Sequence, residues 1–195
     1  MRRLTWLLAS LVALSGCAAV RQIESDVSTY SQWPAERKPA SYAFERLPSQ
    51  QARAQQQQTL EDAARHAIEA AGFTPAADVK DAEVSIQVGA RISAHERAVY
   101  DDPFWWRGGP YTRWRRGFHS PYRGWQLATP IYEREVALLV RDRKSGQALY
   151  EARAAEAGTS SATTALLAAM FDAAMKDFPH TGVNPRRVSI EVNPE

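Results

Sequence analysis

The spacing of apolar residues predicts one helix in the first half of the chain. Between residues 60 and 71, apolar side chains recur at intervals of three and four, which places them on one helix face. These positions are Leu60, Ala63, Ala64, Ala67, Ile68 and Ala71. Gly72 suits the left-handed conformation that ends many helices, and Phe73 can then pack on the last turn. Glu61 and Arg65, spaced i, i+4, are assigned to the solvated face.

A second helix is predicted near the C-terminal end. Either Ser160 or Ser161 can cap its free backbone amides, and Pro179 closes it. Its apolar face comprises Leu167, Met170, Phe171, Ala174 and Phe178.

Six stretches have the β-branched, aromatic or alternating pattern of strands. They are residues 26–32, 41–46, 84–92, 132–141, 148–155 and 187–192. The fourth and fifth form a hairpin around a turn at 142–146, which contains Gly146. The order ββαβββα(β) predicts an α+β fold: a two-layer sandwich in which two helices cover one face of a largely antiparallel sheet.

The first residues have the pattern of an export signal. Arg2 and Arg3 precede an apolar run of about eleven residues, well short of the roughly twenty that a membrane-spanning helix needs. The sequence Leu14-Ser15-Gly16-Cys17 resembles the lipobox of bacterial lipoproteins. The resemblance implies that residues 1–16 are removed and that Cys17 becomes an acylated N-terminus. A generic secretory signal with an incidental cysteine is the alternative.

The position of the anchor sets further expectations. Cys17 is the only cysteine, so the exported domain has no disulfide. Ala18 stands where lipoproteins retained in the inner membrane carry Asp, and the resemblance therefore implies the periplasmic face of the outer membrane. Residues 17–25 are assigned to the acylated cysteine and a tether of at most roughly 26 Å, and residues 26–195 to a single domain.

Composition and charge narrow the class of protein. The chain is 45% hydrophobic and 24% charged, as expected of a globular protein and not of a disordered or collagen-like one. Removal of Arg2 and Arg3 changes the balance from 24 basic and 22 acidic residues to 22 of each. The mature protein therefore lacks the net positive charge that would favour nucleic acid as a partner.

Residues 104–125 form the most distinctive segment. Eight of these 22 positions are aromatic, five are Arg, and none is acidic. Its four Gly and two Pro argue against a helix or a long strand. Long loops of this kind are usually functional or disordered, and the aromatic content argues against plain disorder. The candidate binding residues are Phe104, Trp105, Trp106, Arg107, Tyr111, Arg113, Trp114, Arg115, Arg116, Tyr122, Arg123 and Trp125.

Three ligand classes suit this aromatic and basic segment. Trp and Tyr favour the membrane interface, and Arg pairs with the phosphates of anionic lipids. The same side chains can stack on sugars and bind carboxylates, as peptidoglycan or another glycan would require. They are also enriched where envelope proteins would bind one another. The alternative is a packed lid over the sheet face that the helices leave open. Basic and aromatic residues also suit single-stranded nucleic acid, but the export signal argues against that partner.

No catalytic, metal or cofactor motif emerges from the sequence. The four histidines, His66, His95, His119 and His180, are scattered and lack a zinc-binding pattern. Asp101-Asp102, near His95-Glu96, could serve acid–base chemistry, but an exposed turn explains them more simply. We therefore expect a non-catalytic protein without cofactor. The alternative is an envelope hydrolase in which two of Asp101, Asp102, His95 and His119 converge.

Several short motifs in a fixed order resemble one bacterial lipoprotein family. They are Tyr42-Ala43-Phe44, Ala70-Ala71-Gly72-Phe73, Asp81-Ala82-Glu83-Val84, the hairpin Asp142…Ser145-Gly146…Tyr150-Glu151-Ala152, and Phe178-Pro179. Behind a lipobox, this succession resembles the lipoproteins grouped as domain of unknown function 4136, over roughly residues 20 to 180. The resemblance implies a compact α+β domain facing the periplasm and no known reaction. We expect a membrane-anchored binding or scaffolding protein of the cell envelope.

Overall fold

The computed structural model describes residues 21–95 and 130–192. These residues form one seven-stranded mixed sheet with helices packed on it. In chain order the elements are β1 (Arg21–Ser31), β2 (Ser41–Phe44), α1 (Pro48–Gln51), α2 (Ala54–Ala70), β3 (Thr74–Pro75), a 3₁₀ turn (Val79–Asp81), β4 (Val84–His95), β5 (Ile131–Asp142), β6 (Ala148–Gly158), α3 (Thr164–Met175) and β7 (Arg186–Val192). The predicted α+β class is confirmed.

The strands lie in the order β3-β2-β4-β5-β6-β1-β7. From β4 through β7 all neighbours are antiparallel, whereas β2 is parallel to both β3 and β4. The parallel pairing follows from the crossover through α2, since a chain that returns by a helix re-enters the sheet in the same direction. The last strand, β7, pairs with β1 at one edge.

Alternation along the strands separates a buried face from an open one. The inward positions Val84, Ile86 and Val88 of β4 lie opposite Val140, Leu138 and Val136 of β5, and all six are essentially buried. Small residues on the helices face them, including Ala64, Ala169, Ala173 and Ala174, all nearly inaccessible. Small side chains let α2 and α3 approach each other and the sheet closely. No described helix covers the other face of the sheet.

Several element boundaries differ from the sequence prediction, including the ends of β2, β4 and β6. β1 begins at Arg21 instead of residue 26, so residues 21–25 belong to a strand paired with β7 and not to a tether. The second helix begins at Thr164, because the Thr163 hydroxyl accepts the Leu166 amide at 3.2 Å and caps it in place of Ser160 or Ser161. That helix ends at Met175, before the predicted stop at Pro179.

The predicted end of the first helix is confirmed. Gly72 has φ +95°, and the buried Phe73 donates its amide to the Ile68 carbonyl at 3.4 Å. A side chain at position 72 would also press against Pro39, whose Cγ lies 3.2 Å from the place a Cβ would take.

Glu61 is buried, contrary to the prediction of a solvated position. Its side chain is 3% exposed and accepts two bonds from Arg46, Nε to Oε1 at 2.6 Å and Nη2 to Oε2 at 2.5 Å. Arg46 also donates to the Gln58 amide oxygen at 2.6 Å. Arg65 pairs instead with Asp62, at 3.2 Å on the exposed surface. The bidentate pair fixes the chain that leaves β2 onto α2.

An aromatic cluster closes the end of the sheet where β1 ends and β6 begins. Trp33 packs edge-on against Phe73 and Phe178, with ring centroids 5.6 and 4.9 Å apart, and its indole N–H donates to the Arg37 carbonyl at 2.8 Å. Tyr150 packs on Phe178 and donates to the Ala174 carbonyl at 3.4 Å. Burial raises the pKa of the Tyr150 phenol well above its ordinary value. The cluster joins β1, β6 and the end of α3.

The turn between β5 and β6 is organised by one carboxylate. Asp142 accepts the backbone N–H of Lys144 and Ser145, the Ser145 hydroxyl and the Arg37 guanidinium, all between 2.8 and 3.0 Å. The bond from the Ser145 N–H, together with Arg37, holds the pKa of Asp142 well below its usual value. Gly146 takes φ +72°, which completes the predicted hairpin turn.

Polar side chains fasten the segment after α3 to β1. The Asn184 side chain bonds both backbone groups of Thr29, at 2.8 and 2.7 Å, and the Thr29 hydroxyl accepts the Gly182 amide at 2.8 Å. Asp177 and Arg186 form a two-point ion pair beside them. These contacts bring the chain to the β1 edge, where β7 then pairs.

His66 of α2 contacts Asp172 of α3, with 3.0 Å between Nδ1 and Oδ1. The bond to Asp172 raises the pKa of His66 above its ordinary value. A raised folded-state pKa adds stability below the unfolded value near 6.5, and this contribution is lost as the pH rises through the folded-state pKa.

We therefore expect His66→Gln to lower the unfolding free energy more at about pH 5.5 than at pH 8, as measured by urea denaturation. The effect should be on the order of 0.5 kcal/mol or less, because His66 is largely exposed. His180→Gln, at another exposed histidine, is the control. Equal losses at both pH values would contradict the assignment.

Candidate functional site

Five strand ends meet at one end of the sheet, which we call the proximal end. β1 begins there opposite the end of β7, with Arg21 paired to Val192. β6 ends and β5 begins there, with Gly158 paired to Tyr132, and β4 ends at His95 opposite Ile131. The start of the described chain and both flanks of segment 96–129 therefore lie on the same side of the molecule.

The candidate binding residues from Phe104 to Trp125 lie outside the described residues. What the structure locates is the pair of strands that carries them, since β4 enters the segment and β5 leaves it. Three strand spacings separate β4 from β1 in the sheet. At about 4.8 Å per spacing, the flanks of the segment are on the order of 14 Å from the start of β1.

The strand boundary also shortens the predicted tether. Arg21 is already in β1, so only four residue steps separate it from Cys17. Four steps extend to at most about 13 Å, half the length expected from the sequence. Cys17 lies outside the described residues, but its distance from the proximal end is bounded by this length.

Acidic side chains predominate on the open face near the proximal end. The charged residues there include Glu24, Asp26, Glu133, Glu135, Glu191, Arg91 and Arg187. Arg187 lies 3.5 Å from Asp26 and 3.7 Å from Glu24, in largely exposed ion pairs that contribute little stability. A shallow depression of about 380 Å³ lies among Asp26, Arg91, Glu133 and Glu135. This part of the open face does not offer a cationic surface.

A buried ion pair lies on the helix-facing side of the proximal end. Arg134 and Glu156 are directly opposite across β5 and β6, with 3.1 Å between Nε and Oε2. Their side chains are 1% and 15% exposed, and the contact lacks regular hydrogen-bond geometry. Gly158 leaves room for the pair, since a Cβ there would lie 2.8 Å from an Arg134 nitrogen. The alternation of β5 places Arg134 inward, so the sequence contained a signal that was missed.

The candidate catalytic residues are not brought together within the described chain. Asp101, Asp102 and His119 lie outside it, and His95 is the last residue of β4 and not part of a loop. His66 bonds Asp172 on the helices, and His180 is exposed after α3. Residues 21–95 and 130–192 contain no group of three or more His, Cys, Asp or Glu placed to hold a metal ion. Nor do they include a helix able to cross a membrane.

The sheet with helices on one face defines an α+β domain. A family model described as "Domain of unknown function (DUF4136)" matches residues 26–180, and the chain belongs to this family. The match confirms the family resemblance stated from the sequence. No curated protein sequence matches the chain.

Solved structures with a similar fold align with this chain at low sequence identity. A PDZ domain protein from Parabacteroides distasonis aligns with a TM-score of 0.55 at 14% identity, over 93% of this chain and 42% of that structure. This chain therefore spans about two fifths of that protein's length. Two PelC dodecamer structures from Paraburkholderia phytofirmans align at 14% and 15% identity, over 76% of this chain and 92% of theirs. Their TM-scores of 0.36 and 0.38 are too low to support an argument.

Proposed function

We propose that this protein is a non-catalytic lipoprotein, anchored through Cys17 at the periplasmic face of the outer membrane, that binds the lipid surface through residues 104–125. The observation that supports the proposal is that the start of β1 and both flanks of segment 96–129 lie at the same end of the sheet. β1, which follows Cys17 by four residue steps, begins at the same end of the sheet from which β4 and β5 carry the segment.

The distances favour lipid over a more distant ligand. An anchor at most about 13 Å from β1 keeps the proximal end close to the bilayer surface. The flanks of segment 96–129 start on the order of 14 Å away, so the segment is within reach of that surface. Trp and Tyr are suited to that interface, and five Arg with no acidic residue suit anionic headgroups.

The charge of the open face supports an upright orientation of the domain. Glu24, Asp26, Glu133 and Glu135 would oppose an anionic surface if the sheet lay flat on it. When the domain stands on its proximal end, the basic segment meets the lipid and the open face is perpendicular to the surface, so these carboxylates no longer face the lipid directly. Binding partners in the envelope would then meet the distal end and the sides of the sheet.

The distribution of tryptophan allows a direct test. Removal of residues 1–16 leaves five Trp, of which four lie in residues 104–125 and the fifth is Trp33. Trp33 follows the end of β1, and eleven strand residues at about 3.3 Å each separate it from the proximal end. Fluorescence quenching by brominated lipid therefore distinguishes the two ends of the domain.

We expect strong quenching when the lipidated protein is placed in brominated phosphatidylglycerol–phosphatidylethanolamine vesicles. A variant with Phe at Trp105, Trp106, Trp114 and Trp125 keeps only Trp33 and should lose nearly all of this quenching. The Trp33→Phe variant should keep it. Two results would contradict the proposed orientation: quenching of the Trp33-only variant as strong as that of the wild type, or no quenching of the wild type. Alanine at Trp105, Trp106, Arg115 and Arg116 should also weaken the quenching.

A further inference from the structure

The outer edge of β4 is paired over only its first part. β2 and the residue after it supply partners as far as Ile86, whose carbonyl accepts the Glu45 amide at 2.9 Å. β4 continues to His95, and among the described residues no strand pairs with this edge beyond Ile86. Such an edge is a ready template for another strand.

Two glutamine side chains mark where the paired part ends. Gln50 of α1 and Gln57 of α2 both donate their amide N–H to the Val88 carbonyl, at 2.8 and 3.2 Å. Val88 is thereby satisfied without a neighbouring strand. Because backbone groups repeat their direction every second residue, the N–H and C=O of Ala90 and Ile92 point to the same side.

A groove of about 590 Å³ lies beside this edge, between β4, α1 and the first half of α2. Leu60 and Leu167 contribute apolar surface, and Ile92 projects into it with 49% of its surface exposed. The described residues that line the groove include two Arg and no acidic residue. Arg91 belongs to the opposite face by alternation, which leaves Arg53 as the cation on this side.

We propose that this edge and groove bind an extended peptide segment of another protein. The segment adds to the sheet as a strand beside Ala90 and Ile92, places apolar side chains against Leu60 and Leu167, and sets a carboxylate beside Arg53. Main-chain bonds supply affinity and alternate side chains supply specificity, as in other cases of strand addition. This site does not include residues 104–125, so it extends beyond the proposed lipid binding.

Charge and backbone chemistry favour this occupant over two others. A second copy related by a two-fold axis would bring one Arg53-rimmed groove against another, with no carboxylate in either lining to compensate. A purely apolar ligand would cover the edge of β4 while leaving its N–H and C=O groups without partners. An acidic extended peptide satisfies both the cation and the backbone.

The probe is a labelled seven-residue peptide in which valine and threonine alternate between two terminal glutamates. We expect fluorescence anisotropy to show binding to the full-length protein in detergent. N-methylation of alternate peptide amides should weaken binding at least tenfold, because it removes the bonds to the strand edge. Replacing the terminal glutamates by lysines should weaken it similarly.

Two protein variants test the groove directly. Ile92→Asp should lose at least tenfold in affinity, whereas Val183→Asp, at an apolar position 76% exposed elsewhere, should bind as the wild type does. Arg53→Glu should prefer the lysine-ended peptide, and Arg141→Glu, on the opposite face, should not. This reversal of preference does not depend on how Ile92→Asp folds.

Three results would overturn the proposal: no binding of either peptide, equal binding of the N-methylated peptide, or self-association in sedimentation that Ile92→Asp abolishes. The last would identify a second copy as the occupant. The lipid-quenching experiment monitors other residues, so failure of either proposal can be recognised separately.

Discussion

Replacing Arg46 by Met should lower the free energy of unfolding by about 3 kcal/mol, because removing one partner of a buried pair leaves the other charge uncompensated. The Glu61 side chain is 3% exposed and would lose both of its Arg46 bonds. The Arg46 side chain is 27% exposed, so some water reaches the site, and the low end of the usual range applies.

The double variant Arg46→Met, Glu61→Leu tests whether the loss of stability comes from an unpaired buried charge or from altered packing. Replacing both charges by apolar side chains of similar size should bring stability back to within about 1 kcal/mol of the wild type. Guanidinium denaturation followed by circular dichroism measures each variant. Arg153→Met is the control, because Arg153 and Glu151 form an exposed pair and its loss should cost less than about 1 kcal/mol. A double variant as unstable as the single one would contradict this explanation.

The position of Glu61 shows how far a periodic pattern predicts a helix. The apolar spacing from residue 60 to 71 correctly places the buried face of α2, including Ala64 and Ile68. It cannot show that the helix begins at Ala54 or that Gln57 and Glu61 are also buried, because both are polar. Their burial depends on Val88 and Arg46, which the fold alone brings close.

The boundaries of β1 depend on long-range pairing in the same way. Residues 21–25 become strand because β7, more than 150 residues later, pairs with them. That pairing in turn requires Asn184 and Gly182 to hold the preceding segment on Thr29. A local sequence pattern cannot predict such long-range contacts. The first strand was therefore predicted too short and the tether too long.

The candidate site was likewise predicted only in part from the sequence. The composition of residues 104–125 identifies them from sequence alone, and Cys17 is identified by the motif around it. That the start of β1 and the strands flanking residues 104–125 share one end of the sheet follows only from the order β4-β5-β6-β1 and its antiparallel directions. The sequence also did not predict that the outer edge of β4 is unpaired beyond Ile86. β2 was predicted two residues longer than it is, and no pattern indicated that the Gln50 side chain bonds the Val88 carbonyl.

Replacing Cys17 by Ser should move the protein from the membrane fraction to the soluble periplasmic fraction. Burial of acyl chains contributes about 0.8 kcal/mol per CH₂ group, so one chain holds a protein only marginally while two or more hold it firmly. The lipobox resemblance implies two to three chains, all of which depend on Cys17. Fractionation shows the change of location, and mass spectrometry of the mature N-terminus shows whether the lipid is present.

Ala18 supplies the matched controls for this experiment. Ala18→Ser keeps the cysteine and should remain in the outer membrane, whereas Ala18→Asp introduces the inner-membrane retention signal of enterobacterial lipoproteins and should move the protein there. A Cys17→Ser protein that stays membrane-bound with an unchanged N-terminal mass would exclude the lipid anchor. Residues 104–125 would then have to hold the domain at the membrane alone, and the bound on the distance from the bilayer to β1 would no longer apply. The three outcomes therefore separate the anchor, the destination and the contribution of the aromatic segment.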